Sequence, residues 1–260
     1  MNILIAWIKL TLFFFISLIL VPPQIIVLCF TRGAASRPIP KLWMRLVCAI
    51  FQIKVSVQGQ IFKQGQCLYM SNHMSYLDIP TLGAVLDCSF VSKQDVANWP
   101  VFGFLANLRQ TAYIGRERAD TSNASRAVSA FLNRGESLII FPEGTSTDGR
   151  EVIPFKSSLF ALPLSATNQN LFIQPVTLVM SKVNGAALVS QDDRDLYAWH
   201  RDMDTELPAH LWRFAQSGGA EITVRFHDAF AANTFNDRKA LANATFEAVS
   251  LGHADLTQRV

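Results

Sequence analysis

Acidic side chains are missing from the first 77 residues, and Asp78 is the first acid in the chain. The same stretch holds seven bases: Lys9, Arg32, Arg37, Lys41, Arg45, Lys54 and Lys63. Of 23 Lys and Arg, 16 therefore follow, against 20 acids, so a net charge of +3 hides a basic front end on a slightly acidic body. A basic front end rich in apolar residues suits an anionic surface. Nucleic acid is disfavoured as that surface, because the bases stand among Leu, Ile, Val and Phe and no nucleic-acid motif accompanies them. Charge is scarce overall, at 17% against 50% apolar residues. That balance excludes a disordered chain, which lacks the apolar surface to offset ordering entropy. Cysteine is scarce too: Cys29, Cys48, Cys67 and Cys88 never form C-x-x-C. A disulfide framework or a zinc site is not expected; buried, inert thiols in a reducing compartment are. No repeat, low-complexity tract or long linker occurs, and 260 residues leave room for one large domain or two small ones.

What is present begins with an apolar run from Ile3 to Phe30, interrupted by one charge, Lys9, and by Pro22–Pro23. About 20 residues of helix cross a bilayer core. The run predicts either one kinked span or a helix that enters the membrane and returns along it. No base precedes Lys9, as a cleaved signal peptide would require. Arg32, Arg37, Lys41 and Arg45 follow the run, and the positive-inside rule then puts the body on the cytoplasmic face. Over Lys41–Ile53, apolar residues recur at helical spacing beside Lys41 and Arg45; the helix is either interfacial or core-facing. The expected division is a membrane anchor with interfacial helix over 1–56 and a second domain over 57–260.

In that second part, strands are predicted at Cys67–Ser71, Ser89–Ser92, Thr111–Ile114, Ser137–Phe141, Leu171–Val179 and Glu221–Phe226. Helices are predicted near Tyr76–Leu86, Thr121–Asn133, Ser157–Ala166 and Asp237–Ser250. The alternation implies an α/β fold with a mostly parallel central sheet flanked by helices. Residues 191–206 carry six acids and two arginines and read as a solvated loop.

Three stretches carry chemistry. Ser71-Asn72-His73-Met74-Ser75-Tyr76-Leu77-Asp78 follows a strand, where α/β folds place their sites. On one helix His73 and Asp78 would point about 140° apart. They meet only if His73 lies in a turn and Asp78 in the helix after it; the carboxylate then fixes the imidazole tautomer and leaves the other nitrogen as a base. Phe141-Pro142-Glu143-Gly144-Thr145 also ends a strand, and a carboxylate, glycine and hydroxyl there can hold a polar ligand. Arg116, in Tyr113-Ile114-Gly115-Arg116, suits bidentate phosphate binding.

Taken in order, these stretches resemble the glycerolipid acyltransferases of the lysophosphatidic acid acyltransferase type. Asn72, His73 and Asp78 match that family's N-H-x-x-x-x-D, and Phe141 through Thr145 match its F-P-E-G-T. Tyr113 through Arg116 and Ile173-Gln174-Pro175-Val176 are similar to its second and fourth blocks. Lys93 and Trp99-Pro100-Val101-Phe102-Gly103 sit where the family has similar residues. The order and spacing agree over roughly 60–180. Gly115 stands where the family usually has an acid, Gln110 where it has glycine, and Ser146 where it has arginine.

The resemblance implies transfer of a fatty acyl group from acyl-CoA or acyl carrier protein to a lysolipid hydroxyl. The acceptor it points to first is 1-acyl-sn-glycerol-3-phosphate, giving phosphatidic acid. A lyso-ornithine lipid, or transacylation between phospholipids, is the alternative. His73 is the implied base and Asp78 its orienting partner. Arg116 would grip the acceptor's anionic group, while Glu143, Gly144 and Thr145 would position the acceptor and line an oxyanion site. No metal or organic cofactor is implied. The absence of G-x-S-x-G argues against an acyl-serine intermediate.

Overall fold

Strand β2 (Cys67–Ser71) is buried along its whole length, as a strand covered by packing on both faces must be. Its side chains alternate between two cores: Cys67 and Tyr69 enter one, Leu68 and Met70 the other. The computed structural model describes residues 2–115, 128–161, 163–164 and 170–258.

The sheet around β2 comprises β1 (Ile53–Gln58), β3 (Ser89–Lys93), β4 (Ala112–Ile114), β5 (Leu138–Ile140), β6 (Phe172–Val183) and β8 (Ala220–Phe226). Their order is β1-β8-β6-β2-β5-β3-β4, and short β7 (Ala186–Ala187) and β9 (Phe230–Ala231) also pair with β6. The β6-β2-β5-β3-β4 block is parallel throughout. β8 runs antiparallel to β6 and parallel to β1. The mostly parallel α/β architecture read from the alternation is thus present.

Helices α1 (Ile3–Phe30), α2 (Pro38–Ile50), α3 (Asp78–Val85), α5 (Gln191–Tyr197) and α6 (Leu207–Ala215) contribute to the core holding Phe13, Phe51, Leu82, Tyr197 and Phe214. Helix α7 (Arg238–Thr257) contributes Leu241 and Val249 to the opposite core. Asp237 caps it by accepting the N–H groups of Lys239 and Ala240. Short α4 (Phe102–Leu108) leads into β4. Of the predicted helix at Thr121–Asn133, residues 128–132 are helical and the earlier part lies outside the described residues. Instead of the helix expected at Ser157–Ala166, the described residues show a single 3₁₀ turn at Ser157–Phe160.

Helix α1 takes up the whole apolar run. It continues through Pro22 and Pro23 as one helix of 28 residues, and Ala6 and Phe13 on one of its faces pack into the core. Lys9 Nζ donates to the Ser217 carbonyl at 2.8 Å, Trp43 Nε1 donates to Ser17 Oγ at 2.9 Å, and Gln24 Nε2 donates to the Leu108 carbonyl at 3.0 Å. From Lys9 to Gln24 is roughly 22 Å of helix at 1.5 Å per residue, so the helix lies along the domain. Its other face is bare and apolar, with Phe14, Phe15, Leu18, Ile26 and Phe30 exposed. By length and composition it is long and apolar enough to cross a membrane.

Three further expectations change. A boundary between residues 56 and 57 falls inside β1, which is paired with β8 from Ile53 to Gln58. Arg37 does not face a lipid surface; it is buried and ion-paired with Glu136. Cys29 is exposed on α1, while Cys48, Cys67 and Cys88 are buried as anticipated.

Candidate active site

In a parallel block every strand ends at one edge, and the ends of β2 and β5 bring their following segments there. After β2 the chain turns through Asn72 and His73 before α3 opens at Asp78. The Asn72 amide makes that turn rigid: its Nδ2 donates to the Leu178 carbonyl at 2.9 Å, and its Oδ1 accepts the Leu178 N–H at 2.7 Å. A side chain thereby replaces the missing neighbour on β6.

The turn-then-helix arrangement brings His73 Nδ1 to 2.8 Å from Asp78 Oδ2. The carboxylate accepts, so Nδ1 carries the proton and Nε2 is the free nitrogen. The same oxygen accepts the N–H groups of Met74 at 2.6 Å and Ser75 at 2.9 Å. Asp78 Oδ1 accepts the Tyr197 hydroxyl at 3.0 Å. Asp78 has no exposed surface, whereas a fifth of the His73 side chain, 20%, is open to solvent. The imidazole stacks on Phe141, with centroids 4.0 Å apart and planes at 18°. Its ring is thus held on one edge by Asp78 and on one face by Phe141.

Glu143 differs from its expected role. It is buried to 1% exposure, and its oxygens accept the N–H of His73 at 2.7 Å and of Ile153 at 3.1 Å. It clamps the backbone of the His73 turn and has no surface left to touch an acceptor. Burial pushes its carboxyl up to about 8, opposed by the two N–H bonds and reinforced by the charge of Asp78. The clamp is completed from the other side, where the Thr147 N–H donates to the His73 carbonyl at 2.9 Å.

Gly144 also departs from expectation as an oxyanion donor, since its N–H donates to the Phe141 carbonyl at 3.1 Å to close a turn. Its φ of +67° is the left-handed conformation that favours glycine, and a Cβ there would strike the end of the Lys156 side chain. Lys156 was not singled out by sequence. Its exposed ammonium lies over this turn and has no hydrogen-bond or ion-pair partner among the described residues. Thr145 is half-buried, and among the described residues its hydroxyl makes only a 3.5 Å contact with the Ser146 carbonyl. Ser146 Oγ donates to the Trp199 carbonyl at 2.7 Å, while the Trp199 N–H donates to the Met74 carbonyl at 2.9 Å. Arg116 lies outside the described residues.

Residues 191–206 are the larger correction. They were expected as a solvated loop, yet they hold α5 and supply Tyr197 and Trp199 to the site. Ser190 caps the helix in a capping box with Asp193, a Ser-x-x-Asp signature that was legible in the sequence. Among the described residues no group of three or more His, Cys, Asp or Glu is placed to hold a metal ion.

With this geometry in view, the family model for acyltransferases matches residues 52–179. A lyso-ornithine lipid O-acyltransferase of Brucella abortus is 33% identical over 232 residues, 87% of this chain and 85% of that protein. A 1-acyl-sn-glycerol-3-phosphate acyltransferase of Neisseria gonorrhoeae is 32% identical over 195 residues, 72% of this chain and 69% of that one. In fold, the crystal structure of the 1-acyl-sn-glycerophosphate acyltransferase from Thermotoga maritima matches with a TM-score of 0.70 at 17% identity. That match covers 98% of this chain and 94% of the other.

Proposed function

The chain belongs to the acyltransferase family, and from that premise we propose that it moves a fatty acyl group from a thioester donor to the hydroxyl of a lysolipid. The observation that carries this reading is the His73–Asp78 pair, with Nδ1 held at 2.8 Å and Nε2 free at a partly open edge. His73 Nε2 takes the proton of the acceptor hydroxyl as its oxygen attacks the thioester carbonyl. The tetrahedral intermediate collapses, the C–S bond breaks, and the leaving thiolate takes the proton back from the imidazolium. Asp78 holds the ring and stabilises its cation. The thioester is the only activated group this scheme uses; acyl-CoA and acyl carrier protein both present one, and no metal or organic cofactor enters it.

Lyso-ornithine lipid is the acceptor we place first, reversing the order read from the sequence. The relative of that name shares a longer matched span with this chain than the glycerophosphate enzyme does. Ser146, standing where the family usually has an arginine, is engaged with Trp199 and brings no charge for a phosphate. Lys156 offers one cation at the turn, enough for a headgroup carboxylate. A lysophosphatidic acid acceptor is the second reading, resting on the Neisseria gonorrhoeae relative and on Arg116.

The bare apolar face of α1 supports a placement in which that helix lies in one leaflet with the site at headgroup height. The exposed Arg32 and Arg45 support a cytoplasmic-face orientation.

His73→Ala tests the reaction. Transfer to either lysolipid should fall by about 10²–10⁴, the usual worth of a general base, in a protein that still melts as wild type does. Near-wild-type turnover would end the acyl-transfer reading.

A further inference from the structure

We propose that Tyr197 is a positioning residue for the catalytic pair, setting the proton affinity of His73 through its hydrogen bond to Asp78. The inference rests on the acyl-transfer reading above for its kinetic consequence, but not for its electrostatic one.

Asp78 has two oxygens with separate tasks. Oδ2 faces the His73 turn, where it takes the imidazole and two backbone N–H groups. Oδ1 faces the core and takes the Tyr197 hydroxyl at 3.0 Å. Both Asp78 and Tyr197 have no exposed surface, so water does not stand in for the phenol. The hydroxyl lies 3.1 Å from Thr81 Oγ1, which itself donates to the Leu77 carbonyl at 2.8 Å. The Thr81 proton is therefore committed elsewhere, and the Tyr197 proton is left for Asp78. Burial and the Asp78 charge push the phenol well above its ordinary range, so it stays protonated and remains a donor.

Among the described residues, the other titratable groups facing this pair are His73 from the turn, Glu143 from the segment after β5, and Cys48 from α2. Burial pushes the Cys48 thiol up to about 12, so it is neutral. The phenol draws negative charge toward Oδ1. Removing it concentrates charge on Oδ2, where the imidazolium sits, and favours protonated His73. The phenol thus holds part of the Asp78 charge on the oxygen away from the imidazole.

The test compares wild type with Tyr197→Phe, which keeps the ring that packs on Phe214. Acyl transfer is measured against pH with lyso-ornithine lipid, lysophosphatidic acid and acyl thioesters. In parallel, the rate at which diethyl pyrocarbonate labels His73 is read by peptide mass as a function of pH. Labelling requires neutral imidazole and no substrate. We expect the labelling midpoint and the acidic limb of kcat/KM to move together to higher pH in the variant. We also expect kcat above the limb to fall about tenfold, the scale on which partners of a reacting group act, with KM unchanged. Replacing Tyr197 by 3-fluorotyrosine, a stronger donor of nearly the same size, should move the midpoint to lower pH and serves if the phenylalanine variant does not fold. A midpoint that stays fixed in the altered protein overturns the proposal, even if activity falls, because lost packing alone does not move a proton equilibrium. A shifted midpoint with no transfer by wild type overturns the acyl-transfer reading instead and leaves the coupling standing.

Discussion

Glu143 holds the backbone of His73 by accepting its N–H at 2.7 Å, and its other oxygen holds Ile153. The segment after β5 thus fixes the turn after β2, and the carboxylate reaches the reaction only through the placement of His73. Glutamine at 143 offers one acceptor and turns an NH₂ toward the second N–H. We expect Glu143→Gln to lower kcat by about 10²-fold, the cost of a misplacement near 1 Å. It should also lose about 1–3 kcal/mol of stability from the unsatisfied donor. Turnover at the wild-type rate would show that the clamp is dispensable.

The same carboxyl gives a pH dependence with a definite sign. Its folded value is raised by burial from 4.5 to about 8. Below pH 4.5 both folded and unfolded forms are protonated, and the contribution is fully present. As pH rises toward 8 only the unfolded form ionises freely, and that contribution is lost. Wild type should therefore lose melting temperature relative to Glu143→Gln as pH is raised from 5 to 8, and the difference should then level off. Wild type gaining over that range would mean that the buried carboxyl is stabilised in its charged form.

How much of this was legible follows from sequence separation. His73 and Asp78 are five residues apart, so helix geometry alone decides whether they meet. Tyr197 and Asp78 are 119 apart, and no local period reports such a contact. The acids around Tyr197 also made its segment read as solvent-facing, although Leu196-Tyr197-Ala198-Trp199 is an apolar insert within it. β1 is hidden in the sequence because Ile53-Lys54-Val55-Ser56-Val57-Gln58 is a short edge strand directly after an amphipathic helix, whose pattern runs on into Ile53. The backbone contacts of Glu143 are hidden in the sequence for a related reason. A carboxylate in a strand-end motif looks the same in sequence whether it faces a ligand or the backbone behind it.

Lys156 predicts a binding effect. Its ammonium lies over Gly144 with no partner among the described residues, at the turn where the family's arginine is replaced by Ser146. Lys156→Met keeps the aliphatic stem and removes the charge. The expected result is a KM for the anionic acceptor raised about tenfold, the lower range for a hydrogen bond to a charged group, with kcat nearly unchanged. Steady-state kinetics with acceptor varied at saturating donor reads this directly. An unchanged KM would remove Lys156 from the acceptor site.

The two faces of α1 make opposite predictions. Phe13 is 6% exposed and meets Trp43 and Phe51, so Phe13→Ala should cost about 3–5 kcal/mol and lower the melting temperature. Phe15 and Leu18 are 57% and 74% exposed on the bare face. A Phe15→Glu, Leu18→Glu double variant should keep its melting temperature in detergent yet lose sedimentation with anionic vesicles, since charge placed in that face opposes burial in lipid. Removing residues 1–56 is a poorer test, because it cuts β1 away from β8 and exposes the core under Phe51. Vesicle binding at the wild-type level by the double variant would show that α1 is not the surface that meets the bilayer.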